Sequence, residues 1–204
     1  MADSKIDAKT RADQQTTKAA LKKQESSAKK YMSIEVGAMD NSLKMGDVEI
    51  GGASVALNAK YYWRLFKSNL WLGPTATVST VPKKSFKTAT EESEVDGQLF
   101  HIGLGANYYF TPNSPFQTYA TAMVGYESIS IDVKSEDIAT QTALPSSSAS
   151  SSGFVAAAGL GIERRFGDTA VGLEGKVYNA SRGSDLSESD SMFYSAMLKV
   201  SWKF

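Results

Sequence analysis

The sequence predicts an all-β protein: an eight-stranded antiparallel up-and-down transmembrane β-barrel with short periplasmic turns and long extracellular loops. Three observations carry this. Beyond Lys30 the chain runs as eight stretches of period-two alternation. The connections between them switch between tight turns and long polar loops. The last stretch alternates to its final residue, with Leu198, Val200, Trp202 and Phe204 on one side and Lys199, Ser201 and Lys203 on the other. Period-two alternation sends successive side chains to opposite faces. One face asks for an apolar medium and the other for polar company, as a barrel strand in a membrane does. The last strand of a soluble sheet meets the same description.

Composition narrows the function classes. Lysine plus arginine (22) equals aspartate plus glutamate (22), so the basic excess of a nucleic-acid binder is missing and no nucleic-acid partner is expected. Without cysteine there are no disulfides, thiolate metal sites or cysteine nucleophiles. A single histidine excludes a multi-histidine metal site, and no cofactor is implied. No apolar run approaches the ~20 residues of a membrane-spanning helix. Barrel strands escape such a scan because each is only half apolar.

The chain divides at about Lys30. Residues 1–30 are rich in Ala, Lys, Gln, Asp, Ser and Thr, with Ile6 and Leu21 as the large apolar exceptions. They lack the apolar core of a secretory signal, so an exported chain is expected in its mature form, with the signal removed. Helix propensity is fair over residues 17–30, but the apolar face is too thin for an independent helix. The segment reads as a disordered or loosely helical periplasmic arm, with a periplasmic partner as its conceivable role. Residues 31–204 form the barrel.

The strands follow in order. Residues 31–40 alternate Met32, Ile34, Val36 and Ala38 against Ser33, Glu35 and Gly37. Residues 53–66 set Val55, Leu57, Ala59, Tyr61 and Trp63 against Ser54, Ala56, Asn58, Lys60, Tyr62 and Arg64. Residues 70–81 set Leu72, Pro74, Ala76 and Val78 against Trp71, Gly73, Thr75, Thr77 and Ser79. Residues 100–110 set Ile102, Leu104, Ala106, Tyr108 and Phe110 against His101, Gly103, Gly105, Asn107 and Tyr109. Residues 116–133 are a fifth strand whose facing the pattern does not fix. Residues 154–166 set Ala156, Ala158, Leu160 and Ile162 against Ala157, Gly159, Gly161, Glu163 and Arg165. Residues 169–179 set Val171, Leu173 and Val177 against Gly172, Glu174, Lys176 and Tyr178, and residues 191–204 close the set.

Residues 67–69, 111–115 and 167–168 are turn formers. Residues 41–52, 82–97, 134–153 and 180–190 read as long polar loops. The third holds a serine-rich run with nothing to pack a core. The second is a mixed-charge tip, with Lys83, Lys84 and Lys87 beside Glu91, Glu92, Glu94 and Asp96. A soluble eight-stranded barrel shares this layout but turns its apolar face inward. Two features favour the membrane form. Tyr61, Trp63, Phe66, Tyr108, Phe110 and Phe166, with Trp202 and Phe204, gather beside the short turns, where an interfacial aromatic girdle belongs. The polar face also mixes both charge signs with glycines, and a filled eight-stranded interior needs such small neighbours.

The run from Gly103 to Phe116 (GLGANYYFTPNSPF), continued by residues 119–126, resembles the strand–turn–strand of small Gram-negative outer-membrane barrels of the opacity-protein, OmpX and OmpA-domain type. That resemblance covers residues 31–204. It implies a bacterial outer-membrane location, with outer-membrane lipid and lipopolysaccharide as surroundings. It also implies that Leu198, Val200, Trp202 and Phe204 form the C-terminal signal read by the barrel assembly machinery. The charged arm departs from the family pattern, whose first strand begins close to the mature N-terminus.

Fold does not fix function. The sequence favours a non-enzymatic surface protein with a structural, surface-interaction or adhesion role. A lipid-A-modifying enzyme would need a nucleophile, a base and an orienting carboxylate. His101 is the only histidine, and no serine follows it two residues on. A narrow channel or transporter for small molecules fits poorly with so charged an interior. Glu35, Lys60, Glu163, Glu174, Lys176 and Lys199 all fall on polar faces at comparable distances from the turns, three carboxylates with three lysines, and Arg64 and Arg165 lie below them. They are expected to form one interior network of balanced sign, because unpaired charges are costly where water is scarce.

Overall fold

The computed structural model describes residues 29–40, 43–45, 48–50, 52–66, 68–87, 90–140, 142–182 and 191–204. The strands are β1 (Lys30–Asp40), β2 (Leu43–Met45), β3 (Val48–Ile50), β4 (Ala53–Arg64), β5 (Leu70–Lys87), β6 (Glu91–Tyr109), β7 (Phe116–Asp137), β8 (Thr142–Ala143), β9 (Ser147–Phe166), β10 (Thr169–Arg182) and β11 (Ser191–Lys203). Eight of them, β1, β4, β5, β6, β7, β9, β10 and β11, form an antiparallel up-and-down barrel. Its seam is β1 against β11, with Glu35 opposite Lys199. The seam is clamped at the turn end, where the Lys30 N–H donates to the Phe204 carbonyl (2.8 Å) and the Phe204 N–H to the Lys30 carbonyl (3.0 Å). β2 and β3 pair as a small separate hairpin.

The tight turns arise from local chemistry. Gly167 takes a φ of 67°, so two residues suffice between β9 and β10. Between β4 and β5 the Leu65 N–H donates to the Leu70 carbonyl (2.9 Å), and the Ser68 hydroxyl to the Leu65 carbonyl (2.5 Å).

In the half of the barrel nearest these turns the apolar faces point outward. Val55, Leu104, Leu160, Leu173 and Leu198 are each more than half exposed, while Ser33, Asn58, Thr77 and Asn107 are buried inside. Phe116 and Tyr126 of β7 both point outward, about ten residues apart, the length of a tilted strand that crosses a bilayer. Phe100, Phe154 and Tyr194 also face outward toward the far end of this zone.

Beyond that zone the pattern inverts. β5, β6, β7 and β9 run to 18, 19, 22 and 20 residues, against 11 to 14 for the other four. Their upper parts face outward with Thr80, Gln98, Ser130 and Asp132, and inward with Val81, Val95, Leu99, Ile129, Ile131 and Val155. This is the polarity of a water-soluble barrel. Met39, Met123, Phe193 and Met197 complete the apolar core.

Two expected loops are therefore corrected. Most of residues 82–97 and 134–153 is strand. The charges of the first stretch pair along the ladder, Lys87 with Glu92 at 2.8 Å and Lys83 with Glu94. The serines of the second pair their backbones with β7, Ser151 opposite Ile129 and Ser147 opposite Val133. They need no core of their own because the neighbouring strand supplies the isoleucines. Within 41–52 lie the strands β2 and β3, and β10 continues to Arg182 before residues 183–190, which lie outside the described residues. The expected arm lies almost wholly outside them as well; Lys29 is the first residue described.

Candidate interior charge network

Alternation sends one polar side chain inward at every second position, and the barrel's narrow bore brings those from facing strands together. Four of the expected residues meet in one cluster. Lys60 lies 2.7 Å from Glu35 and 2.6 Å from Glu174, and Lys176 lies 2.6 Å from Glu174 and 3.6 Å from Glu35. All four side chains are essentially out of solvent. The remaining acceptor capacity is used. Asn58 Nδ2 donates to Glu35 (2.6 Å) and the Tyr119 hydroxyl donates to Glu174 (2.9 Å). Asn58 Oδ1 in turn accepts from Thr75 and Thr77, each at 3.1 Å. Two carboxylates and two ammonium groups thus balance where dielectric screening is weak.

Glu163 and Lys199 form a second cluster nearer the turns, 2.7 Å apart. Lys203 joins it, 3.6 Å from Glu163 and donating to Gln117 Oε1 at 2.8 Å. Aromatic faces surround these ammonium groups. Lys199 lies 3.9 Å from the Tyr119 ring centre and Lys203 lies 4.0 Å from that of Tyr109. Tyr31, Tyr62 and Trp71 complete this aromatic layer. Tyr119 links the two clusters, its ring under Lys199 and its hydroxyl on Glu174. Arg64 and Arg165 stand at the turns, where Arg64 Nε donates to the Ser68 carbonyl (2.7 Å) and Arg165 Nε to the Gly167 carbonyl (2.8 Å). The single expected network is thus two clusters, and the two arginines lie below them at the turns.

His101 lies in a third layer. Its Nε2 is 2.7 Å from Glu127 Oε2, and its ring lies 5.4 Å from Tyr178 and 5.7 Å from Phe193, which stack on each other at 4.8 Å. Of the serines that could serve it as a nucleophile, Ser79 is engaged with Ser54 at 2.7 Å, and Ser128 is on the opposite parity from Glu127. Among the described residues no group of three or more His, Asp or Glu side chains is placed to hold a metal ion.

Sequence reasoning missed Lys203, Asn58, Gln117, Tyr119 and Glu127 as partners of these charges. The parity of β7 would have found three of them, since Gln117, Tyr119 and Glu127 occupy odd positions of one strand. Of the expected girdle residues, Trp63, Phe66, Tyr108, Phe110 and Phe166 are exposed on the outer face and Tyr61 is half-buried there. Tyr61 and Trp63 meet edge to face at 5.2 Å, as do Tyr108 and Phe110 at 5.5 Å. Leu198, Val200 and Phe204 also point outward, with Trp202 half-buried beside them.

The closed eight-stranded up-and-down barrel, apolar outside over one zone and charged within, is the fold of the small outer-membrane β-barrels of Gram-negative bacteria. Two solved structures illustrate the likeness. Neisserial surface protein A superposes with a TM-score of 0.58 at 15% identity, over 86% of this chain and 97% of that one. Ail, the attachment invasion locus protein of Yersinia pestis, solved with the heparin analogue sucrose octasulfate, gives 0.54 at 13% identity, over 86% and 99%. No protein-family model and no curated protein matches the sequence.

Proposed function

We propose that this chain is an integral protein of the bacterial outer membrane with a structural, surface-interaction or adhesion role, and that it is neither an enzyme nor a channel. The observation that carries the reading is the upper part of β5, β6, β7 and β9. These strands extend past the lipid-facing zone as a sheet with its own apolar core and a polar outer face, a rigid platform outside the bilayer. A barrel serving only as a membrane plug or pore has no use for so much ordered structure above the lipid.

The interior supports the negative half of the proposal. The Glu35/Lys60/Glu174/Lys176 cluster, the lysine–aromatic layer beneath it and the apolar core above it succeed one another along the bore, which supports a filled interior over an open lumen. His101 is held by Glu127 against the stacked rings of Tyr178 and Phe193, an arrangement that serves packing. The sulfated sugar analogue was bound by Ail. On the platform of this chain four lysines (83, 84, 87 and 134) face seven carboxylates (91, 92, 94, 96, 132, 136 and 137). A neutral or basic partner surface therefore fits it better than a polyanion.

The test is expression in a Gram-negative host lacking its own small barrels. Cells should gain binding to surfaces coated with basic or neutral matrix protein, and lose it when Glu92, Glu94 and Asp96 are replaced by serine. Lipid-A mass spectra should be unchanged, and planar bilayers should show no steady conductance. A stable ion-selective conductance or an altered lipid A replaces this reading with a channel or an enzyme.

A further inference from the structure

Arg164 is a charged, exposed side chain on the outward face at the turn end of the lipid-facing zone. Its neighbours on that face are Ile162 and Phe166 along β9, Phe116 across the ladder on β7 and Val171 on β10. Its guanidinium lies 5.4 Å from the ring centre of Phe116 and 5.1 Å from that of Phe166. Among the described residues no carboxylate or hydrogen-bond acceptor accompanies it, unlike Arg165 on the other face, which donates to Gly167.

We propose that Arg164, held between Phe116 and Phe166, is a binding site for the phosphodiester of a glycerophospholipid in the leaflet next to the short turns. The proposal rests on the membrane reading above. Snorkelling explains why an arginine is tolerated at an interface. It does not explain two rings holding the guanidinium at girdle height with its N–H groups unpartnered. A planar guanidinium presents a fork of donors that matches two phosphate oxygens. The rings fix its orientation and remove most of the entropy cost of immobilising it, while their apolar edges meet the first methylenes of the acyl chains. Phosphate is the anion present at this depth in a leaflet, so the chemistry of the site and its height agree.

The full chain, folded in detergent and stripped of lipid, is examined by native mass spectrometry with phosphatidylglycerol, the matching diacylglycerol or inorganic phosphate. Wild type should retain one phosphatidylglycerol and no diacylglycerol. Arg164→Gln should weaken retention about tenfold, roughly one charge-assisted hydrogen bond. Arg164→Lys should fall between, because an ammonium cannot fork across two oxygens. Equal retention by Arg164→Gln, with heat-modifiable gel migration intact, overturns the site while leaving the barrel in its membrane. Equal retention of diacylglycerol, or full competition by inorganic phosphate at the lipid's own concentration, overturns the phosphodiester assignment. Wild type that is monodisperse without detergent overturns the membrane reading and the site with it.

Discussion

Tyr119 lies directly across the β7–β9 ladder from Gly161, and its ring occupies the space a Cβ on Gly161 would need. The same substitution of space occurs between Gly105 and the hydroxyl end of Tyr62. Missing side chains on one strand make room for large ones from another, which is how a narrow barrel accommodates its interior. Gly161→Ala should therefore destabilise the folded barrel by about 1–3 kcal/mol, the usual cost of overpacking. Gly175→Ala is the control. Gly175 faces outward with only the Ser195 carbonyl within 4 Å of a new Cβ, at 3.7 Å. Equilibrium urea unfolding in micelles should separate the two variants; equal midpoints would mean that Tyr119 moves aside freely.

The Glu174 carboxylate receives Lys60, Lys176 and Tyr119, so its removal is expected to be the most damaging single change in the interior. Glu174→Ala leaves two buried ammonium groups facing Glu35 alone, at a cost of about 3–5 kcal/mol. Tyr119→Phe removes one hydrogen bond to the same carboxylate and should cost about 1–2 kcal/mol. Adding Lys60→Met to Glu174→Ala should recover part of the loss by deleting the stranded charge. A double variant no more stable than Glu174→Ala would show that the two groups are not coupled.

The lipid-facing half of the fold was legible because the medium outside and the charges inside differ so sharply there. Strands such as 53–66 declare both faces. Residues 116–133 do not, for a physical reason. The inward set is odd-numbered throughout, but the apolar residues change sides along it. Val124 and Tyr126 point outward into the lipid zone, while Ile129 and Ile131 point inward beneath water. One strand thus carries two opposite amphipathic patterns in the same phase. The same inversion made Ser147–Gly153 resemble a loop, since a strand that presents serine outward and borrows its core from β7 has no apolar signature of its own. The charge clusters were legible as residue types on polar faces. Their division into two layers was not, because it depends on barrel stagger and on Tyr119.

This inversion makes a prediction about protease access. Lys134 is exposed in side chain, yet its backbone is paired opposite Glu94. Trypsin acting on intact cells should spare Lys134 over times that cut an unstructured loop completely, since cleavage requires the ladder to open. Glu94→Pro removes a backbone donor and strains the paired conformation, and should speed cleavage at Lys134. Rapid cutting at Lys134 in the wild type would return residues 134–153 to the loop that their composition suggests.

The two C-terminal residues should fail in different ways. Phe204 is exposed on the lipid side and its backbone closes the β1–β11 seam. Lys203 is buried, bonded to Gln117 and lying over Tyr109. Lys203→Ala deletes a charged hydrogen bond and a neighbour of Glu163, so the folded protein should lose about 1.5–3 kcal/mol in urea unfolding. Its insertion into membranes in cells should stay near normal. Phe204→Asp keeps the seam's backbone bonds and should shift that unfolding midpoint little. It places a carboxylate at the lipid interface and removes the aromatic terminus expected to serve as the assembly signal, so the yield of heat-modifiable protein in cells should drop several-fold. Measuring both quantities for both variants tests the separation. If Phe204→Asp lowers unfolding stability as much as Lys203→Ala and leaves cellular yield intact, residue 204 matters for packing alone.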